Sequence, residues 1–222
     1  MTREVASISI ATAFVLAMPI NAHGDDDCSD RSRVLFGPSL AAGAVEEGGK
    51  DAGDATPTFG WHAGGAVSIK LHEHSLFKNS FLESSVQLQP ELVYVMKGSE
   101  LPLIRSLDFR FVELGILGQW VFRPCSRIQP YVVLGGEAAY LVSAKNGQTD
   151  VESGVKPFDF GAIGGIGVKI VLPRRITLDI AIRHDRGLIS MDDSGNSADL
   201  KNRAYFLVID GFWDFAHDPG ER

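Results

Sequence analysis

Val86–Gly98 reads V-Q-L-Q-P-E-L-V-Y-V-M-K-G. From Val86 to Met96 every even position is apolar (Val86, Leu88, Pro90, Leu92, Tyr94, Met96), while the odd positions begin Gln87, Gln89, Glu91. Alternation of period two over this length is a β-strand with two unlike faces. Two kinds of barrel can be built from such strands. In one that lives in water the apolar face turns inward. In one that crosses a bilayer it turns out to hydrocarbon, and the carboxylate of Glu91 sits inside.

The pattern recurs along the chain. Phe59, Trp61, Ala63, Val67, Ile69 and Leu71 oppose His62, Ser68 and Lys70. Val112, Leu114, Ile116, Trp120 and Phe122 oppose Glu113 and Gln119. Ile128, Val132, Leu134, Ala138, Tyr140 and Val142 oppose Gln129, Glu137 and Ser143. Phe158, Phe160, Ala162, Ile166, Val168, Ile170 and Leu172 oppose Asp159 and Lys169. Ile176, Leu178, Ile180 and Ile182 oppose Thr177, Asp179 and Arg183. Tyr205, Leu207, Ile209, Trp213 and Phe215 oppose Asn202, Asp210 and Asp214, and the glycine-rich Val34–Val45 fits more loosely. With Val86–Met96 these make eight strands over residues 33–216. Short connections are expected near His72–Asn79, Pro124–Ser126 and Pro173–Arg174, and longer polar ones at Glu46–Pro57, Gly98–Ser106, Lys145–Pro157 and Leu188–Lys201. Tight turns at one end and long loops at the other, with an even strand number, describe an all-β, antiparallel up-and-down barrel closed against exposed edges.

Three features favour the bilayer. The strands exceed the usual five or six residues of globular sheets and suffice for a tilted crossing of about nine to eleven. The polar face carries single charges among Gly, Ala, Ser and Gln rather than a wet surface. Aromatic residues on the apolar face gather near strand ends, at Trp61, Tyr94, Trp120, Tyr140, Trp213 and Phe215, as interfacial girdles do. A secreted, lipocalin-like barrel is the alternative these features disfavour.

Bulk composition agrees. The 222 residues include 24 glycines, with 45% hydrophobic and 22% charged residues, so the chain is neither disordered nor a helical membrane protein. A formal charge of −7 without a basic stripe speaks against nucleic acid. Met1–Ala22 has Arg3, an apolar run, Pro19 and the small Ala22, the pattern of a secretory signal peptide cleaved after Ala22. Residues 23–222 then form the barrel domain. Cys28 follows Asp25–Asp27, unlike a lipidated cysteine, and in an oxidising compartment it and Cys125 are either bridged or two separate thiols.

The order Q-P-E-L-V-Y-V-M-K-G (Gln89–Gly98), F-V-E-L-G-I-L-G-Q (Phe111–Gln119), Q-P-Y-V-V-L-G-G-E (Gln129–Glu137), F-G-A-I-G-G-I-G-V-K (Phe160–Lys169) and K-N-R-A-Y-F-L-V-I-D-G-F (Lys201–Phe212) resembles the PorT-type outer-membrane β-barrel family. This copy has Gly115 where that family usually carries a nearby proline. The resemblance implies a cell outer membrane location and, for some members, an association with secretion machinery.

With the apolar face outward, the lumen collects Lys70, Glu91, Glu113, Glu137, Asp159, Lys169, Asp179 and Arg183, and Asp210 from the last strand, where the polar face moves to even numbers. An eight-stranded interior is just wide enough for side chains to fill, so these charges are expected to pair into a structural plug. A proton or ion path is the sharper alternative. No catalytic residue, metal ligand or cofactor is expected. His72 and His74 in a turn read as solvated rather than as ligands, and His184-Asp185-Arg186 with Ser190 and Asp192 lacks the spacing of a lipid A deacylase. The glycines of Gly161–Gly167 lie in a strand, not in a phosphate loop. The reading is a non-enzymatic barrel acting through extracellular loops on surface or secretion partners. It meets outer-membrane lipid along its wall and the assembly machinery through its aromatic-ended last strand. A narrow channel for small solutes and a lipid hydrolase are the competing classes.

Overall fold

The computed structural model describes residues 34–48, 56–74, 84–101, 104–146, 149–150, 156–173, 176–189 and 201–214. The signal-peptide segment, Cys28, Ser190, Asp192 and Phe215 lie outside them. The strands are β1 (Val34–Gly48), β2 (Thr56–His74), β3 (Ser84–Leu101), β4 (Ile104–Phe122), β5 (Ile128–Asn146), β6 (Thr149–Asp150), β7 (Phe158–Leu172), β8 (Ile176–Gly187) and β9 (Lys201–Trp213). Eight are long. The two-residue β6 folds back on the end of β5 through Lys145↔Asp150 and Asn146↔Thr149.

The long strands form one ring in the order β4-β3-β2-β1-β9-β8-β7-β5, closed by β4 pairing with β5, and every neighbouring pair is antiparallel. Apolar side chains point away from the axis. Leu134 is 68% exposed, whereas its chain neighbour Val133 is fully buried, so adjacent residues on one strand meet opposite environments. Glu91 is buried while Leu92 beside it is exposed, which answers the question raised by Val86–Gly98. Two outward aromatic belts bound the apolar band. One joins Trp61 to Tyr94 (ring centroids 5.9 Å) and Tyr140 to Phe158 (5.2 Å). The other has Trp120 stacked with Phe122 (6.3 Å), and Trp213 opposite Phe36. Val112 faces Tyr94 and Tyr140 across the ladder. From Val112 to Trp120 is eight residue steps, roughly 26 Å along the strand, which a tilt of about 40° reduces to about 20 Å of height, within an apolar band about 25 Å tall.

Three expectations need correction. The long loop expected at Gly98–Ser106 is mostly strand: Gly98 pairs with Asp108, Ser99 with Leu107 and Leu101 with Ile104. The ladder there outruns the alternating pattern, because backbone pairing does not require an apolar side chain at every second position. Conversely, the short connection expected at His72–Asn79 spans residues 75–83, since β2 pairs with β3 as far as His74↔Ser84. The lumen is also less polar than expected. Val93, Val95, Leu117, Val121, Tyr131, Val133, Phe206 and Val208 pack inside as one cluster, and Phe109, Phe111, Ala139, Leu141 and Ala144 as another. A filled barrel holds little water, so apolar groups suit its inside as well as its outside.

A bulge between Arg110 and Phe111 puts an extra residue in β5, so the inward face shifts from Leu141 to Ala144. The β4–β5 turn is held by Ser126 N donating to Arg123 O (2.9 Å) and by the Gln129 amide donating to Pro124 O (2.6 Å) and Ser126 O (2.9 Å). Cys125 in this turn is disulfide-bonded.

The glycines of Gly161–Gly167 gain a packing reason. A Cβ at Gly167 would lie 2.4 Å from Tyr131 Cζ, and one at Gly161 2.5 Å from Glu137 Oε1, whereas one at Gly164 would make ordinary contact with Leu134 at 3.5 Å. Gly167→Ala should therefore destabilise the folded barrel by about 1–3 kcal/mol through overpacking, with Gly164→Ala near neutral. Urea unfolding of both variants in one detergent checks this, and equal midpoints would refute the inward packing.

Candidate functional site: a charge-filled lumen

Arg183 on β8 lies at the centre of the lumen. Its Nη1 is 2.9 Å from Glu91 Oε2 on β3, and its Nη2 is 3.2 Å from Asp210 Oδ2 on β9. In the ring β3 and β8 stand on opposite walls, four strands apart either way, so the first of these bonds spans the barrel. Arg183 is 2% exposed, a cation viable there only because two carboxylates face it. Gln89 donates to Asp210 Oδ2 (3.0 Å) and to Glu91 Oε2 (3.4 Å), and itself accepts from Gln119 Nε2 (2.7 Å). These amides link the carboxylates into one network instead of leaving separate pairs.

Toward the turn end, Lys169 Nζ is 3.2 Å from Asp179 Oδ2 and lies 5.4 Å from the ring centroids of both Tyr131 and Phe212. Tyr131 donates its hydroxyl to Asp179 Oδ1. Asp179 and Asp210 are direct cross-strand neighbours, and each is drawn to its own cation. Toward the loop end, Lys97 Nζ reaches Glu113 Oε1 at 2.6 Å and Glu137 Oε1 at 3.3 Å. Asp159 accepts from Asn202 Nδ2 (3.2 Å) and from the Phe160 amide (2.8 Å). His62, 3.3 Å from Ser39 Oγ, packs on Phe206. Lys70 sits half-buried at the turn-side mouth. A cavity with room for about one water remains among His62, Glu113, Glu137, Arg183 and Asp185.

The structure thus brings Glu91, Arg183 and Asp210 into one group, Lys169 and Asp179 into a second, and Glu113 and Glu137 into a third centred on Lys97. Lys97 and Asp185 were missed in the sequence reading. Both were within its reach: Lys97 is the next odd position after Val95, on the face of Glu91, and Asp185 follows Arg183 by two. Tyr131 is legible by parity as well, two residues beyond Gln129 on the inward face of β5, although an aromatic ring by its type suggests the lipid side.

The His184-Asp185-Arg186 triplet separates into two faces. Asp185 is buried in the lumen, while His184 points outward and stacks on Tyr205 at 4.4 Å. The cross-strand neighbours of His184 are Gly164 and Tyr205, with Arg186 next on its own face, so no described serine adjoins it. Among the described residues no group of three His, Cys, Asp or Glu is arranged to hold a metal ion. His72 and His74 end β2, and their side chains lie outside the described residues.

Removing Arg183 leaves Glu91 and Asp210 as uncompensated buried charges, so Arg183→Ala should destabilise the barrel by about 3–5 kcal/mol, whereas Glu113→Ala leaves Lys97 paired with Glu137 and should destabilise it by less. The apolar clusters above and below still fill the bore, so conductance in planar bilayers should stay at background. A variant that unfolds at lower urea yet conducts no ions fits this account, and a conducting one contradicts it.

The outer membrane protein beta-barrel domain family model matches residues 30–193. No curated protein matches the chain. Among solved structures, the Neisserial surface protein NspA superposes with a TM-score of 0.51 at 12% identity, over 79% of this chain and 95% of that one. The outer membrane enzyme PagL gives 0.48 at 13% identity, over 80% and 97%, and the attachment invasion locus protein Ail of Yersinia pestis 0.42 at 12%, over 82% and 100%. At these identities the likeness is one of fold, and only the first is near enough in shape to argue from. A closed ring of eight long antiparallel strands, apolar outside and ion-paired inside, agrees with the family match over most of the chain: the protein belongs to the outer membrane protein beta-barrel domain family and is an outer-membrane barrel.

Proposed function

We propose that this barrel is a non-enzymatic scaffold whose wall holds extracellular loops against surface or secretion partners. The observation that carries the proposal is the Arg183–Glu91 bond of 2.9 Å between opposite walls, at a level packed further by Gln89, Gln119 and Asp210. A bore crossed by a direct hydrogen-bonded ion pair leaves no continuous path for a hydrated solute. The three connections at the loop end of β1, β5 and β8 are polar and stand on a rigid scaffold, where binding functions concentrate. Resemblance of the Gln89–Gly98 and Phe160–Lys169 motifs to PorT-type barrels supports a link to secretion or surface assembly. In this proposal, export uses the signal peptide 1–22, the disulfide of Cys125 leads to Cys28, the assembly machinery reads the aromatic C-terminal sequence that includes Trp213 and Phe215, and lipid coats the belt.

A lipid-hydrolase role is disfavoured by the opposite facings of His184 and Asp185, which keep the two from acting on one substrate. Proteoliposomes should show no swelling with small sugars or amino acids beyond protein-free vesicles. Mass spectrometry of the envelope lipids should show no acyl chain lost on expression. Swelling would establish the channel reading in place of this one, and a missing acyl chain the enzyme.

A further inference from the structure

The outward faces of β8 and β9 depart from the apolar rule at their loop ends. Arg186 and Arg203 are direct cross-strand partners, both on the outer surface, Arg186 exposed and Arg203 half-buried. Like charges facing each other across an antiparallel pair repel. Among the described residues neither guanidinium has an ion-pair partner. Glu46 faces Arg203 from β1 without closing a salt bridge. Beneath the arginines, His184 stacks nearly parallel on Tyr205 (24°), and His184 Nδ1 lies 3.2 Å from Ala204 O. Below these, Ile182 faces Leu207, 57% and 52% exposed, and the hydrocarbon belt begins.

We propose that Arg186 and Arg203, above the His184–Tyr205 platform, form a binding site for the phosphate of a lipid headgroup in the outer leaflet. Four facts select this occupant. The patch is continuous with the lipid-facing belt, so what covers Ile182 and Leu207 extends upward onto it. It lies at the end of the barrel that carries the 188–200 connection, the long-loop and hence extracellular side. Two guanidinium forks side by side match the oxygens of a phosphate, which can accept from both and cancel their repulsion. Tyr205 and His184 are amphipathic rings of the kind that rest at headgroup level.

The test reconstitutes the full chain into nanodiscs of phosphatidylcholine carrying either phosphatidic acid or diacylglycerol with the same acyl chains, so that the two lipids differ by the phosphate alone. Three proteins are compared: the native chain, R186Q/R203Q, and R110Q, which removes an outward arginine from β4 on another part of the rim. Native mass spectrometry should show phosphatidic acid retained by the native chain and by R110Q, and about tenfold less by the double variant, the loss expected for charge-assisted hydrogen bonds to phosphate. In discs with diacylglycerol the double variant should unfold no earlier than the native chain, because it sheds a repulsive pair. If the double variant does not fold, R203Q alone serves, with a partial loss of retention expected. Equal retention by the native chain and R186Q/R203Q would overturn the site, as would equal retention of the two lipids. A free anion, not a lipid, would be the occupant if inorganic phosphate at millimolar concentration stabilises the native chain in lipid-free detergent as much as phosphatidic acid does in discs.

Discussion

Hydrocarbon offers a backbone amide or carbonyl no partner, and each unsatisfied group there costs several kcal/mol. A sheet can enter it only by closing. The pairing of the first strand β1 with the last strand β9, from Phe36↔Trp213 to Gly48↔Lys201, is the seam that makes this possible, for it turns a meander with two open edges into a ring with none. Side-chain direction follows from closure. Once the ring exists, each strand has one face toward lipid and one toward the axis, and residue parity decides which side chain goes where.

The axis imposes its own demand. Eight strands leave an interior that side chains fill, and this chain fills it with both ion pairs and aliphatic groups. Each buried carboxylate brings a desolvation penalty that a nearby cation and further hydrogen bonds must offset. Arg183 meets Glu91 and Asp210, Lys97 meets Glu113 and Glu137, and Lys169 meets Asp179 with help from Tyr131. Above and between these groups Val93, Val133 and Phe206 exclude water, which strengthens the charge interactions they surround. Inward glycines such as Gly167 make room for the large partners. The same filling that stabilises the barrel also closes it, so stability and impermeability have one cause.

Much of this was legible in the sequence, because period-two alternation depends on only one of the two faces being strongly apolar. Leu88, Leu92, Leu114, Leu134 and Ile182 announced the outer wall, and Glu91, Arg183 and Asp210 the inner one, including the change of parity in the last strand. Three things were hidden. The apolar half of the lumen was hidden because Val93, Val95 and Leu117 look the same in a strand whether they face lipid or a dry interior. The continuation of β3 and β4 to Leu101 and Ile104 was hidden because hairpin backbone pairing leaves little trace in side-chain type. The pairing of Arg186 with Arg203 was hidden because cross-strand register depends on the lengths of distant connections, and nothing within either strand reports it.

The direction of the side chains decides between lipid and water outside the barrel, and site-directed spin labelling through β5 tests it most directly. Single labels placed in turn from Tyr131 to Ala139 in a lipid bilayer should show oxygen collision rates that rise and fall with a period of two, high at Val132, Leu134 and Ala138 and low at Val133 and Glu137. They should show little accessibility to a water-soluble nickel relaxant at the inward positions. The opposite phase, with Leu134 shielded from both reagents and Glu137 open to the aqueous one, would mean that the apolar face lines a water-soluble core, and the membrane barrel described above would be wrong.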